Sequence, residues 1–333
     1  MPTKVLPSLQ DVWKARKSIL PFVSRTPLLL SAPLSHQTGA SIYLKCEHLH
    51  PSGAFKWRGA VNSIAQLTKE QLKQGVTTYS TGNHGIAVSM AAAKFGTKAV
   101  ICVSNHIPQA KMDFIRSLGA ELKIVGSSQD EAESYCNHLR ETDGLTIVPP
   151  FDHPAVISGQ GTIALEILEE LPDVNCVVAG LSGGGLLSGI SLVMKSSNKE
   201  IRTIGVSMEN GAVMHESLNC GHIMQLNEQP TFADSLLGGL GETNQYTFSL
   251  INKYLDRSIL IPEQTIAKGM AYIYQNHHMI VEGAAGITVG AILDRFIKVK
   301  KGTNIVLILS GCNVDLKAHS LAIQPYLKES LIL

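Results

Sequence analysis

The chain has 333 residues, of which 44% are hydrophobic and 29 are glycine, and its formal net charge is +1. This length allows two domains, or one large α/β domain with a smaller one attached. A near-neutral charge without a basic block argues against binding to nucleic acid or to an anionic membrane surface. The six cysteines are scattered without a C-x-x-C pair. That pattern is typical of reduced thiols in a cytoplasmic protein and not of a disulfide framework or a zinc site.

The first predicted element is an amphipathic helix over residues 8–20, and no signal peptide is expected ahead of it. Five apolar side chains are expected on the buried face of this helix: Leu9, Val12, Trp13, Ile19 and Leu20. The uncharged window 175–194 has the length of a membrane span. It contains three consecutive glycines and three serines, which favour a buried strand, a turn and a buried helix. We therefore expect no membrane-spanning helix.

Strands and helices alternate regularly between residues 75 and 148. Extended segments at 25–28 and 42–45 and a helix at 59–67 come before this series. Strands are predicted at 77–80, 99–103, 121–125 and 145–148, with helices at 84–95, 109–118 and 128–140. Gly96, Gly119 and Gly144 stand where helix C-terminal caps are expected. Such βα units predict a small open parallel sheet with right-handed crossovers.

A second series of βα units follows, without an internal repeat or a long linker. Helices are predicted at 162–171, 185–196, 263–276 and 284–297, with a C-terminal helix from about Asp315. Strands are predicted at 176–179, 203–207 and 305–309, and irregular structure at 219–245. We expect no regulatory domain after Leu333.

One lysine has unusual neighbours. In the stretch PSGAFKWRGA, residues 51–60, Lys56 follows a Ser-Gly turn and stands between Phe55 and Trp57. A desolvated amine loses its proton more easily and becomes a usable nucleophile. The alternative is a solvated lysine at the start of a helix, which this window alone favours. Three further glycine-rich loops, each placed after a predicted strand, favour the first interpretation.

Two of these loops have the composition of anion-binding turns. Residues 182–186, SGGGL, follow an apolar strand and open a helix, where backbone N–H groups and the helix dipole can hold a phosphate. The loop matches neither a nucleotide P-loop nor the dinucleotide pattern, and a plain turn is the alternative. Residues 81–85, TGNHG, could present Thr81 and Asn83 to a carboxylate, although Asn83 and His84 could simply cap a helix.

An amine that can form an imine, a cup for one phosphate and small polar groups together indicate pyridoxal 5'-phosphate as cofactor. From Thr26 to Asp315 the sequence resembles the fold-type II pyridoxal-phosphate enzymes, in particular the threonine/serine dehydratase and serine racemase branch. The resemblance implies an α/β fold like that of tryptophan synthase β, with two open, twisted, mostly parallel sheets flanked by helices. It also implies a large cofactor-binding domain (1–74 and 149–333), a small mobile substrate-binding domain (75–148), a homodimer and a cytoplasmic location.

The same resemblance implies roles for the site residues. Lys56 would form the Schiff base and act as a catalytic residue, and Phe55 would pack beside the ring. The phosphate would be bound by Ser182, Gly183, Gly184, Gly185 and Leu186. Ser310, in LSGCNVD, would face the pyridine nitrogen and Glu282, in VEGAAG, would lie near the ring, with GQGT (159–162) beside the site. The substrate carboxylate would be bound by Ser80, Thr81, Gly82, Asn83 and His84, with Asn83 also at the 3-hydroxyl of the cofactor.

Several positions depart from the family pattern. Thr81 stands where racemases carry a catalytic serine and many dehydratases an alanine, and it could be catalytic only if its methyl group allows the required rotamer. Ser207 and Met208 replace the Glu-Pro of the cation-binding G-V-E-P motif, and Val213 stands near the place of a second acid. We therefore predict no metal. Ala54 and Cys312 stand where the family commonly has serine and glycine.

The resemblance implies a dehydratase that converts a β-hydroxy amino acid of the L-threonine or L-serine type to a 2-oxo acid and ammonia. Residues 148–152, 205–212 and 231–241 look most like the hydroxyectoine-utilisation dehydratases. Three alternatives stay open: an amino-acid racemase, a β-replacement synthase, and a cofactor-binding relative without catalysis.

Overall fold

The computed structural model describes residues 5–80, 82–105, 109–126, 129–241 and 243–327. Within these ranges the helices are α1 Leu9–Ile19, α2 Ala32–Thr38, α3 Lys56–Ala65, α4 Lys69–Gln74, α5 Asn83–Phe95, α6 Gln109–Ser117, α7 Gln129–Asp143, α8 Pro154–Glu170, α9 Gly185–Ser197, α10 Val213–Cys220, α11 Thr247–Tyr254, α12 Glu263–His277, α13 Gly283–Leu293 and α14 Leu316–Ile323. The strands are β1 Leu28–Leu30, β2 Ser41–Lys45, β3 Val76–Tyr79, β4 Ala99–Val103, β5 Glu121–Ile124, β6 Thr146–Ile147, β7 Cys176–Gly180, β8 Arg202–Met208, β9 Arg257–Ile261 and β10 Asn304–Ile308.

The larger sheet has six strands in the order β1-β2-β10-β7-β8-β9, and all neighbours are parallel except β1 and β2. Side chains of β7 alternate between its two faces. Cys176 and Val178 join the core formed with α12 and α13, whereas Val177 and Ala179 join the core formed with α8 and α9. Because helices cover both faces, the central strands are almost continuously apolar.

The smaller sheet has four parallel strands in the order β5-β4-β3-β6. Ile101 of β4 faces a core shared with α3 and α5, and Cys102 faces α7. This parallel sheet and the larger one confirm the predicted fold class. All four strands fall within residues 76–147, and the division of the chain into a large and a small mobile domain stays a prediction.

Two side chains of the first predicted helix were assigned to the wrong face, and several elements were missed. The buried side of α1 consists of Val12, Ala15 and Ile19, whereas Trp13 is 48% and Leu20 66% exposed. Helices α2, α4, α10 and α11 and strand β9 were not predicted. In the described part of the chain, no helix is long and apolar enough to cross a membrane.

Helix α8 begins at Pro154, eight residues before the predicted start. A Cβ at Gly159 would lie 2.8 Å from the carbonyl oxygen of Arg58 in α3. A Cβ at Gly189 of α9 would lie 2.5 Å from the amide nitrogen of Gly161. Glycine is needed at these helical positions because the backbones of neighbouring helices approach closely there. The glycines do not mark the end of a helix.

Candidate active site

The predicted site residues meet at a cavity of about 390 Å³. Its walls include the segments that follow β3, β7 and β10, together with the starts of α3 and α13. Carboxyl ends of parallel strands are the usual place for ligands in α/β proteins. Every predicted site residue that the structure describes lines this cavity: Phe55, Lys56, Ser80, Gly82, Asn83, His84, Ser182, Gly183, Gly184, Gly185, Leu186, Glu282 and Ser310. Thr81 lies outside the described residues.

Lys56 is the first residue of α3 and is partly buried. Its Nζ donates a hydrogen bond of 2.7 Å to the carbonyl oxygen of Pro150 and lies 5.2 Å from the centre of the Phe55 ring. Burial lowers the pKa of Lys56 to about 8, although the charge of Glu282 acts in the opposite direction. Roughly a tenth of an amine with this pKa is neutral at pH 7, which makes it a usable nucleophile.

The glycine loop before α9 forms a cradle that larger residues would fill. A Cβ at Gly183 would lie 2.5 Å from the Phe151 ring, and a Cβ at Gly184, whose φ is +85°, would lie 2.8 Å from Met214. The loop leads directly into α9, whose first-turn N–H groups have no partner within the helix. Backbone N–H groups and the helix dipole together favour a phosphate. The cradle and the amine of Lys56 therefore fit pyridoxal phosphate.

Asn83 and Glu282 form a buried polar pair on another wall. The Asn83 Nδ2 lies 2.9 Å and 3.1 Å from the two carboxylate oxygens of Glu282. Asn83 begins α5, beyond β3 of the smaller sheet, whereas Glu282 is the N-cap of α13. This pair therefore connects the two sheets across the cavity.

The lysine loop and the Ser310 loop are joined by backbone pairing. Ala54 and Gly311 form an antiparallel bridge, and the Phe55 amide donates 2.9 Å to the carbonyl oxygen of Ser310. Beyond the bridge, the Cys312 amide donates 2.9 Å to the carbonyl oxygen of Gly53. This pairing places Lys56 and Ser310 along one wall of the cavity.

The predicted substrate loop is tied to the segment that follows β6. The His84 Nε2 lies 2.9 Å from the carbonyl oxygen of Val148, and since a carbonyl only accepts, Nε2 carries the proton. Burial lowers the pKa of His84 to about 3, and the nearby charge of Lys56 acts in the same direction. His84 is therefore neutral at physiological pH. That Ser80, Gly82, Asn83 and His84 bind a substrate carboxylate stays a prediction.

The positions that depart from the cation-binding motif lie in the core of the larger sheet. Ser207 is fully buried and its hydroxyl donates 2.7 Å to the carbonyl oxygen of Leu181, while Met208 is also buried. In the ranges that the structure describes, no cluster of three or more His, Cys, Asp or Glu side chains could hold a metal ion. The absence of a bound metal stays a prediction.

Sequence reasoning assigned no site role to the segment 150–152. Pro150 accepts from Lys56, Phe151 packs against the glycine cradle, and Asp152 accepts from the backbone amides at the start of α11, 2.9 Å from Tyr246 and 2.8 Å from Thr247. The segment therefore couples the lysine, the cradle and α11. No short-range pattern predicts such contacts, in which the partners lie 94 or 95 positions apart for Pro150 and Asp152.

A network of buried charges lies behind the lysine loop. Arg58 pairs in bidentate fashion with Glu47, at 2.7 and 2.8 Å, and with Glu166, also at 2.7 and 2.8 Å. The Lys45 Nζ lies 2.7 Å from Glu166. All four side chains are at most 3% exposed. Because Arg58 is two residues after Lys56, the network anchors the first turn of α3.

Comparison with known proteins identifies the family. The family described as "Pyridoxal-phosphate dependent enzyme" matches residues 19–311. The L-threonine ammonia-lyase of Thermotoga maritima is 39% identical, over 92% of this chain and 76% of its own. A catabolic L-threonine dehydratase of Staphylococcus aureus is 38% identical, over 93% of this chain and 90% of its own. The chain belongs to the pyridoxal-phosphate-dependent enzymes.

Solved structures agree with this assignment. Maize serine racemase superposes with a TM-score of 0.90 at 31% identity, over 97% of this chain and 98% of its own. The processed form of threonine deaminase isoform 2 from Solanum lycopersicum superposes with a TM-score of 0.86 at 31% identity, over 97% of this chain and 93% of its own. The predicted fold class, cofactor and enzyme class, a pyridoxal-phosphate enzyme of the threonine dehydratase type, are confirmed.

Proposed function

We propose that the protein is an ammonia-lyase that removes water and then ammonia from a β-hydroxy amino acid to give a 2-oxo acid. L-Threonine or L-serine is the expected type of substrate. The observation that carries this proposal is the position of the Lys56 amine, which shares one cavity with the glycine cradle and with Ser310. The names of the bacterial relatives support the same reaction.

The cofactor would be held by residues of four chain segments. Lys56 would bind it covalently, and residues 182–186 would bind its phosphate. Asn83 would contact the 3-oxygen of its ring, and Ser310 would face the ring nitrogen. When bound, the cofactor supplies an electron sink for negative charge at the α-carbon of the substrate.

Lys56 would also move the proton in the reaction. Its Nζ, with a pKa near 8 in the cofactor-free protein, would take the α-proton of the substrate. Proximity and general-base catalysis by such a group typically contribute about a hundred- to ten-thousand-fold in rate. Ser310 presents a neutral hydroxyl, which does not hold a ring nitrogen protonated as a carboxylate would. This weaker withdrawal of electrons favours prompt loss of the β-hydroxyl group.

The substrate carboxylate would bind at the N-terminus of α5, where backbone N–H groups and the helix dipole favour an anion. Ser80 and Gly82 lie just ahead of this helix, and Asn83 and His84 are its first residues. We propose the same carboxylate-binding role for Thr81. We further propose that residues 75–148 form a small mobile domain whose closure over the substrate would exclude water.

The test is release of ammonia and a 2-oxo acid by the cofactor-loaded protein. L-Serine, L-threonine and 3-hydroxyaspartate are supplied with and without EDTA. We expect turnover of L-threonine or L-serine that EDTA does not change, and its loss in Lys56→Ala. Lys14→Ala is the matched control, since the Lys14 side chain is 67% exposed on α1. Absence of turnover on every compound, with cofactor bound, would refute the proposal.

Racemisation is a second candidate, because the chain is so similar to maize serine racemase. A racemase needs a proton donor on each face of the cofactor, and Thr81 is our candidate for the second face. Incubation with L-serine followed by chiral separation tests it. Appearance of D-serine that Thr81→Ala abolishes would support a racemase, and its absence would leave the dehydratase.

A hydroxyectoine-derived substrate is the specific alternative within the dehydratase class. Residues 231–241 resemble the hydroxyectoine-utilisation dehydratases, and Asp234 to Gly239 line the cavity together with Glu228. Ring opening of hydroxyectoine frees an amine, which carboxylates at the cavity wall would favour. Turnover of ring-opened hydroxyectoine derivatives alone would support this substrate, and turnover of L-threonine alone would exclude it.

A cytoplasmic homodimer is also proposed, and sedimentation equilibrium of the purified protein tests its dimeric state.

A further inference from the structure

Asn313 lies behind Asn83 and does not line the cavity. Its Nδ2 donates two hydrogen bonds of 2.8 Å each, one to the carbonyl oxygen of Ser52 and one to the Oδ1 of Asn83. Asn83 in turn faces Glu282 through its Nδ2. The three side chains therefore form one chain of hydrogen bonds that ends at the cavity wall.

The direction of every hydrogen bond in this chain follows from its first member. A backbone carbonyl only accepts, so the Asn313 atom that faces Ser52 must be Nδ2. The Asn83 atom that faces this NH₂ group must then be an acceptor, which is Oδ1. Asn83 consequently directs its donor, Nδ2, toward the carboxylate of Glu282. Reversal of either amide would place two donors or two acceptors against each other.

Two glycines provide the space for this arrangement. Gly53 has a φ of +70°, and a Cβ there would overlap the side-chain oxygen of Asn313. A Cβ at Gly311 would lie 2.6 Å from the Oε1 of Glu282 and 3.2 Å from the Nδ2 of Asn83. Both loops are therefore shaped around the buried amides.

We propose that Asn313 is a positioning residue, which fixes the Asn83 amide with its donor Nδ2 and not its acceptor toward the cavity, where Nδ2 pairs with Glu282 and would also meet the ring of the cofactor. The proposal rests on the proposed function, in which Asn83 contacts the 3-oxygen of pyridoxal phosphate. An aspartate at position 313 offers only acceptors, so Asn83 would turn its Nδ2 toward the new carboxylate. The cofactor would then meet an acceptor, and one hydrogen bond to its charged oxygen would be lost.

The experiment measures cofactor affinity by equilibrium dialysis, without any substrate. We expect Asn313→Asp to bind pyridoxal phosphate about tenfold to a hundredfold more weakly, the effect of one hydrogen bond to a charged oxygen. Affinity for 3-deoxypyridoxal phosphate, which lacks the oxygen in question, should change less than about threefold. Asn313→Ala, which only frees the amide to turn, should show the same selectivity with a smaller loss, and it replaces the aspartate variant if that variant does not fold.

A second arm tests whether Asn313 acts through Asn83. In an Asn83→Ala background, Asn313→Asp should cause little further loss of affinity, although its charge is still present. An equal loss for both cofactor forms, or an undiminished loss in the Asn83→Ala background, would overturn the proposal. Tight binding of pyridoxal phosphate by the unmodified protein checks the cofactor assignment separately, so failure of the proposed function and failure of this positioning role are distinguishable.

Discussion

Replacement of Arg58 with methionine perturbs the buried charge network directly. In the native protein two cations, Lys45 and Arg58, balance two carboxylates, Glu47 and Glu166. Methionine has a similar length but neither charge nor donors. The variant therefore leaves one negative charge uncompensated among side chains that are almost completely buried. It also removes the four hydrogen bonds that the guanidinium donates to the two carboxylates.

Loss of one partner of a buried ion pair typically costs about 3–5 kcal/mol, because the remaining charge stays desolvated without compensation. We expect Arg58→Met to reduce the free energy of unfolding by this amount. The matched control is Arg25→Met, since the Arg25 side chain is 46% exposed where it pairs with Glu169 and Glu170. Exposed pairs contribute at most about 1 kcal/mol.

The assay is urea unfolding of the cofactor-free proteins followed by circular dichroism, so that ligand binding does not shift the midpoint. The double variant Arg58→Met/Glu47→Gln removes one cation and one carboxylate and restores neutrality. We expect it to be more stable than Arg58→Met alone, with a coupling energy of about 1 kcal/mol or more. A cost below about 1 kcal/mol for Arg58→Met, or purely additive effects, would refute the reasoning.

The loss of stability in Arg58→Met should depend on pH. Burial alone would raise the pKa of Glu47 and of Glu166. The Arg58 guanidinium, helped by His50 beside Glu47 and by Lys45 beside Glu166, outweighs burial and holds the pKa of both carboxyls below their usual range. These carboxylates therefore stabilise the native protein above about pH 4.3, and the contribution is lost as the pH falls through their folded pKa values. Without Arg58 the folded pKa values of both carboxyls should rise, because burial is then opposed only by His50 and Lys45. The stability difference between the two proteins should narrow as the pH falls from about 7 toward 5.

Three further predictions concern the cavity and the segment beside it. In the cofactor-free protein, the rate of reductive alkylation of Lys56 should rise as the pH passes through 8, about two pH units below the rise for exposed lysines. Peptide mass spectrometry measures the labelling of each lysine. Labelling of Lys56 only near pH 10 would contradict the lowered pKa. Gly183→Ala, whose Cβ meets the Phe151 ring, should weaken binding of pyridoxal phosphate at least about tenfold but leave binding of phosphate-free pyridoxal unchanged, and equal losses would exclude a phosphate cradle. Asp152→Ala should lower the free energy of unfolding by about 1–2 kcal/mol through loss of its bonds to α11, and an unchanged urea midpoint would contradict this.

Much of the fold was predictable because its signals are local. Three βα units of the smaller sheet were predicted to within three residues at every boundary in the described ranges, and Gly96 caps α5 in the left-handed conformation. Helix periodicity, strand length and glycine caps depend only on neighbouring residues. The glycine cradle was recognised for the same reason, since it stands between an apolar strand and a helix.

Other features were not predicted, because their sequence patterns are ambiguous unless the packing partners in space are known. Gly159 and Gly161 resemble a helix boundary, yet they lie in the middle of α8 where α3 and α9 approach closely. Trp13 was assigned to the buried face of α1, whereas Ala15 occupies that place and Trp13 is half exposed. Local patterns specify periodicity, but not which face of a helix meets another element.

The sequence by itself therefore determined the βα units of the smaller sheet, the glycine loop ahead of α9 and the likeness to a cofactor-dependent family. Only the tertiary structure decided the contacts across long separations. Asn313 meets Asn83 over 230 positions, and Arg58 meets Glu166 over 108. Such contacts depend on the close packing of whole elements. No pattern within one segment predicts which distant carboxylate will neutralise a buried cation, or which distant amide will form a hydrogen bond with a buried polar group.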